Sequence, residues 1–472
     1  MTNRPTQLTM RQAAIIQFVS KYSNVVIQLV ITMVLARLLT PDEFGTVSIV
    51  TVFTNFFLLL SDMGLSAGIV QHKELDDKDL SGLFVFAVGM SVVLVALFLL
   101  LGIPVGLLYG NDLLRTLFVA AAPGVFFSAL NSVPNGMLLR QKRFLAVGVR
   151  LVTVNVAAGV VAIAMALAGA GCYALVAQFS LSCTLVFVWN FLLARLRVRR
   201  VPVLRPLRAI FEFSAFQFAH GFVNYFFRNL DNLLVGLVFG SSVLGYYDKA
   251  YKLTTYPVSG FTSVIASVVH PFLSDYQDDP QTIYRKFLDM TRSVFAVGIL
   301  VSACFVAAPA EIVAVMFGDQ WQEAVPLFRV LSVSVMFQMI TSLTGSVFQS
   351  LGNTREMFYT TVVNTCIMIG AILGGIASRD VFVLAILVSL AVCINPVSTF
   401  YYLIVRAFKM PMGDFVHAML PQLLVAFAMM GVSVGVHALI ELVGLPLWPV
   451  LPLITKLGLC GACYVGMLLI TG

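Results

Sequence analysis

The chain has 472 residues, of which 60% are hydrophobic and only 11% charged. A soluble protein carries roughly 25% charged residues, so this chain cannot cover a globule of its size with a wetted charged surface. That balance excludes a secreted disulfide scaffold, a disordered protein and a free nucleic-acid binder, and the formal charge of +7 reads first as a membrane topology signal.

An apolar window of about 20 residues crosses the hydrocarbon core as a helix. In chain order such windows run from Gln12 to Leu39, Phe44 to Leu65, Leu80 to Leu108, Leu113 to Leu138, Phe144 to Leu167, Tyr173 to Ala194, Ile210 to Phe239 and Leu244 to Phe272. Six more run from Tyr284 to Ala308, Ala324 to Leu351, Met357 to Ala377, Val381 to Val405, Phe415 to Ile440 and Pro449 to Ile470. The expectation is an all-α integral membrane protein of about 14 transmembrane helices. The first window contains Lys21, Asn24 and Gln28 and lacks a small-residue cleavage pattern, so it is read as a retained span and not a signal peptide.

Lysine and arginine set the orientation. With the N-terminus in the cytoplasm, 20 of the 29 fall on the cytoplasmic side, including the run from Arg195 to Arg208, and six on the other. The reverse orientation would invert that bias, so both termini are predicted to be cytoplasmic. No connection is long enough for an extramembrane domain. The chain lacks the GxxxxGK[ST] loop that cradles nucleotide phosphates and any spaced metal-ligand set. The seven cysteines sit in or beside apolar runs and are read as reduced thiols, the Cys460/Cys463 pair as packing. A transporter is expected, not an enzyme, with no cofactor and no metal.

An internal repeat appears at a shift of 200 residues. Gln17-Phe18 falls on Gln217-Phe218, Asn24 on Asn224, Gln28 on Arg228 and Gly45 on Gly245. The apolar helix end at Leu35 to Leu39, a tight turn and Gly45 echo the stretch from Val235 to Gly245. Six spans per half is an even number, so the halves share one orientation, related by a pseudo-two-fold along the membrane normal with a binding site between them. The expected organisation is an N-terminal lobe at 1–196, a basic linker at 197–208, a second six-helix lobe at 209–409 and two accessory helices at 410–472.

Polar residues inside spans mark the candidate site, because they usually face a cavity or a partner. In the seventh span Gln217, His220, Asn224, Arg228 and Asp231 are spaced 3, 4, 4 and 3, a single helical face. In the first span Gln17, Lys21, Asn24 and Gln28 are spaced 4, 3 and 4. Matched faces on two repeats suit the walls of one water-accessible chamber; the competing reading is interhelical hydrogen-bond glue. Arg228 and Asp231, at i and i+3, can also neutralise one another. Lys21 and Arg228 give the chamber a cationic character, to which His220 adds near neutral pH, and such a site attracts phosphate.

The stretch from Leu35 to Gly45 after a polar first helix resembles the opening of polysaccharide-transport flippases. Asp231-Asn232-Leu233-Leu234-Val235-Gly236, followed by Leu244-Gly245-Tyr246-Tyr247 and Ala250-Tyr251, resembles their seventh and eighth helices. These belong to the multidrug/oligosaccharidyl-lipid/polysaccharide (MOP) superfamily, and O-antigen and colanic-acid-type exporters are the nearest in pattern. The resemblance implies a V-shaped pair of lobes that flips undecaprenyl-pyrophosphate-linked oligosaccharide across the bacterial inner membrane by alternating access. It also implies coupling to a proton or sodium gradient or to the membrane potential. Membrane lipids, and a polysaccharide polymerase with its chain-length machinery, are the partners it suggests. Lys21 and Arg228 fit the family's cavity cations, Arg37 joins them as a weaker fit, and Asp231 is the candidate for ion coupling. The alternatives are a cation-coupled multidrug exporter of the same fold, which should prefer an acidic chamber, and a membrane-embedded glycan polymerase or ligase, which needs a large outer loop.

Overall fold

A computed structural model describes residues 10–62, 64–72, 74–196, 198, 225, 229–274, 280–443 and 450–471. Among them the regular structure is helical. Its packing divides into two compact units, Met1–Gly245 and Tyr246–Gly472.

The first unit begins with α1 (Met10–Leu38), α2 (Pro41–Asp62) and the short α3 (Leu65–Gln71). Then come α4 (Asp77–Leu108), α5 (Leu113–Arg140), α6 (Phe144–Leu167) and α7 (Cys172–Ala194). It closes with the apolar α8 (Asn229–Phe239) and the first turn of α9 (Ser241–Ser274). Sharp local signals start these helices. Thr40 and Glu43 satisfy each other's backbone ahead of α2, with Pro41 supplying a fixed φ at the first helical position. Asp76 and Asp79 do the same for α4. α5 lies at the centre, packed by α2, α3, α4 and α7, with Phe98 stacked on Phe118 in its core.

α1 lies along α6. A Cβ added at Gly148 would come 2.3 Å from the Ser20 hydroxyl, and one at Gly159 2.2 Å from the Ile31 side chain. Between these points Asn155 Nδ2 donates to Asn24 Oδ1. Contacts that advance together along both chains make the two helices parallel, as the first and fifth spans of an alternating bundle must be.

The second unit holds α10 (Pro280–Ala307), α11 (Pro309–Phe317), a 3₁₀ turn at Asp319–Trp321, α12 (Ala324–Ser332), α13 (Val335–Thr341) and α14 (Thr344–Ser350). α15 (Thr354–Ala377) and α16 (Val381–Phe400) follow, and α16 runs on into a π-helical stretch at Tyr401–Ala407. α17 (Met412–Val443) and α18 (Val450–Thr471) complete it. Its core is built on Phe287, Phe295, Phe348, Phe400 and Met429.

Eleven described helices are long and apolar enough to cross a membrane, and a twelfth results if Ala324–Ser332 and Val335–Ser350, bent by 46°, count as one span. These twelve coincide with predicted spans 1 to 6 and 9 to 14. Among the described residues the expected total of about 14 is not confirmed, for two different reasons. The seventh span appears only as α8, because most of 210–228 lies outside the described residues. The eighth coincides with α9, whose 34 residues include Asp248, Lys249 and Lys252 and which does not number among the apolar spans. Large apolar side chains such as Leu100, Leu107, Leu192 and Phe427 are 62–75% exposed. On a water-soluble surface that would be a severe aggregation liability; on spanning helices it is the face presented to acyl chains.

The expected linker at 197–208 lies outside the described residues apart from Val198.

Candidate functional site

The repeat becomes tangible where the two helix-turn-helix junctions meet inside the first unit. A Cβ at Gly45 would fall 1.7 Å from the carbonyl oxygen of Ser241, and a Cβ at Gly245 would fall 2.1 Å from that of Pro41. Shift 41 and 45 by 200 and the same contact returns with the partners exchanged. This is the self-complementary geometry that a two-fold relation produces. Only a residue without a side chain lets two backbones approach so closely. Asp42 Oδ1 adds two hydrogen bonds, accepting from the Ser241 hydroxyl and, at 3.0 Å, from the Ser242 hydroxyl. Gly240, at φ 89°, makes the turn into α9.

Around this junction the end of the seventh predicted span is held to the first unit. Tyr109 donates to the Leu233 carbonyl at 2.8 Å, and Tyr225 donates to the Val52 carbonyl at 2.6 Å. Asp231 is buried on α8, and its Oδ1 accepts the Asn232 backbone N–H at 2.8 Å.

The polar stripe of α1 divides into two parts. Ser20, Asn24 and Ile31 lie within about 40° of one another at 100° per residue, and they form the strip against α6. Lys21 and Gln28 sit roughly 60–80° round from the middle of that strip. Lys21 is exposed, Gln28 is half-buried, and neither has a hydrogen bond or ion pair among the described residues. Thus Asn24 serves as interhelical glue, while Lys21 and Gln28 remain available on the flank. Arg37 is exposed one residue before the end of α1. The side chain of Gln17 and all of Gln217, His220, Asn224 and Arg228 lie outside the described residues.

Two polar clusters escaped the stripe reading. In the first unit Arg150, on α6, donates from Nη1 to Asn190 Oδ1 at 2.6 Å and to Asn135 Oδ1 at 3.3 Å. Asn190 Nδ2 passes the network on to Asn131 Oδ1 at 2.7 Å. Arg150 is 8% exposed and Asn190 fully buried, so a guanidinium solvated by amide oxygens ties α5, α6 and α7 together. The sequence signals were Asn131 and Asn135 at i, i+4 and an arginine nearly two turns inside an apolar helix.

In the second unit Lys456, on α18, is buried in contact with Glu311 on α11 and His437 on α17. Each is an ionisable residue within a long apolar stretch. Their separation along the chain hides that they meet. Among the described residues no group of three or more His, Cys, Asp and Glu is placed to hold a metal ion.

The sequence profile of a family described as polysaccharide biosynthesis proteins matches residues 34–326, which include both repeat junctions. The chain belongs to that family. Among curated relatives, the teichuronic acid biosynthesis protein TuaB of Bacillus subtilis is 25% identical over 336 residues, covering 71% of this chain and 70% of that protein. The lipopolysaccharide biosynthesis protein WzxC of Escherichia coli is 24% identical over 362 residues, covering 72% and 70%. Among solved structures, the lipid II flippase MurJ in an inward closed conformation aligns over 97% of this chain and 98% of its own, with a TM-score of 0.74 at 14% identity. An inward-facing multidrug resistance transporter of the MATE family, within the MOP superfamily, aligns over 84% and 94% with a TM-score of 0.61 at 15% identity. The MOP fold expected from the junction sequences is therefore the fold of this multi-pass membrane protein. These two curated relatives are named for the biosynthesis of teichuronic acid and of lipopolysaccharide, and a third, ExoT of Rhizobium meliloti, 23% identical over 368 residues, covering 75% of this chain and 72% of that protein, is named a succinoglycan biosynthesis transport protein.

Proposed function

We propose that this chain flips an undecaprenyl-pyrophosphate-linked oligosaccharide from the inner to the outer leaflet of a bacterial inner membrane, by alternating access of its two repeats. The supporting observation is the family match across both repeat junctions. Lys21 adds to it, as a cation on a spanning helix with no acidic partner among the described residues. A pyrophosphate group carries the charge that such a lysine, together with Arg228, would attract. A carrier of cationic drugs would need the opposite sign.

In this reading Gln28 and Arg37 border the path of the headgroup, and both termini face the cytoplasm. Driving force comes from a proton or sodium gradient or from the membrane potential, with Asp231 as the coupling carboxylate. The product is handed to a polysaccharide polymerase and its chain-length machinery.

Export of surface polysaccharide from a deletion strain carrying plasmid-borne variants tests the reading. Lys21→Ala and Arg228→Ala are expected to abolish export while the protein stays in the membrane at wild-type amount. Full export by both variants overturns it, and a drug-sensitivity panel on the same strain tells whether the cargo is a drug instead.

A further inference from the structure

The flippase reading leaves the buried Glu311–Lys456–His437 cluster unused. Lys456 Nζ reaches Glu311 Oε1 on one side and stands 3.1 Å from His437 Nδ1 on the other. Its side chain is 2% exposed and that of Glu311 13%. With Lys456 as an ammonium, which only donates, His437 Nδ1 is the acceptor of this contact, an arrangement that suits the imidazole with its ring proton on Nε2. The second carboxylate oxygen, Glu311 Oε2, is buried and has no hydrogen-bond partner among the described residues. A buried carboxylate oxygen left without a donor is costly, and here it lies on the same group that already holds the ammonium.

We propose that these three residues form a proton-binding site. A hydronium ion gives its proton to His437 Nδ1 and leaves as water, and the new N–H bond displaces the Lys456 N–H···Nδ1 hydrogen bond. Two positive charges then face each other, and Lys456 turns to Glu311, where Oε2 accepts the N–H that the imidazole gave up. The orphan oxygen thus gives the ammonium a second resting place within one carboxylate. The three residues pass from net neutral to net positive, and α17 loses the hydrogen bond that joins His437 to Lys456 on α18. Two discrete hydrogen-bonding arrangements biased by one proton are what a switch requires.

The position suits access from one membrane face. His437 is near the C-terminal end of α17, Lys456 is two turns into α18, and Glu311 follows the C-terminal end of α10. These ends lie on the extracytoplasmic side in the proposed topology. The apolar cluster of Ala307, Val436 and Ile440, adjacent in sequence to these residues, contains the thiols of Cys304 on α10 and Cys460 on α18. Glu441, four residues beyond His437, has its side chain outside the described residues.

The role in transport rests on the flippase reading; the proton site itself does not. The test therefore uses purified full-length protein in detergent, with the thermal unfolding midpoint followed from pH 8 to pH 5. Wild type is expected to lose several degrees over that range. His437→Gln, which keeps an acceptor but binds no proton there, is expected to lose less than half as much, and His437→Asn serves if the glutamine variant does not accumulate. A variant profile that tracks wild type at every pH overturns the proposal. The same proteins in liposomes carrying lipid-linked oligosaccharide supply the second readout, the pH dependence of flipping. A flattened unfolding profile without any flipping by wild type upholds the proton site and refutes the transport reading.

Discussion

Replacing Gly45 with alanine would set a methyl carbon 1.7 Å from the Ser241 carbonyl oxygen and 2.9 Å from the Gly245 nitrogen. Carbon and carbonyl oxygen approach to about 3.3 Å in close packing, so the two junctions must part by roughly 1.6 Å. Both obstacles are backbone, and no rotamer change relieves them. Overpacking a well-filled site costs about 1–3 kcal/mol, and rigid backbone on both sides puts this case near ~3 kcal/mol. Alanine returns up to ~1 kcal/mol in helix propensity, leaving a net loss of about 2 kcal/mol. At roughly 2–4 °C per kcal/mol for a unit of this size, the thermal midpoint should fall by about 4–8 °C. Gly89 on α4 is the control, since a Cβ there meets nothing within 4 Å. Gly89→Ala gains propensity without a clash and should hold or raise the midpoint by up to ~4 °C. Midpoints measured in detergent by intrinsic fluorescence decide it. A Gly45→Ala protein that unfolds at or above the wild-type temperature refutes the close approach and, with it, the two-fold meaning given to the repeat.

Gly245→Ala should cost a similar amount, and the double variant clearly less than the sum, because one separation relieves both clashes; a thermodynamic cycle measures the shortfall. Asn190→Leu strips Arg150 of its shorter hydrogen bond and should lower stability by about 1.5–3 kcal/mol, whereas Arg150→Met in that background should recover part of the loss, as read from denaturation midpoints. Lys456→Met leaves Glu311 buried without its ammonium and is expected to cost about 3–5 kcal/mol, most of it restored by Glu311→Met in the same chain; membrane accumulation and unfolding temperature report both. Thr40→Ala removes one half of the reciprocal cap before α2 and should cost roughly 0.5–2 kcal/mol, visible as faster amide exchange in the first turn of that helix.

The sequence alone determined the class of molecule, twelve of the spans and the repeat. Each is written in local chemistry: a charge-poor composition that cannot face water, apolar runs of membrane length, and a helix-turn-helix phrase repeated 200 residues on. The Leu35–Gly45 and Asp231–Tyr251 stretches sufficed to suggest the family, because a backbone that must turn tightly between two spans tolerates few residues. Lys21, Asn24 and Gln28 were legible as one stripe, since period alone fixes a shared face. Period could not say which of them α6 would cover, and tertiary packing assigned Asn24 to Asn155 while leaving Lys21 on the flank. Nor could it bring together Glu311, His437 and Lys456, which stand 126 and 19 residues apart along the chain, or link Arg150 to Asn135 and Asn190, and through Asn190 to Asn131, on two other helices. A lone polar residue in an apolar run announces only that it needs a partner. Which partner it finds depends on how whole helices pack, and that is settled by the summed fit of many apolar side chains and not by the residue itself.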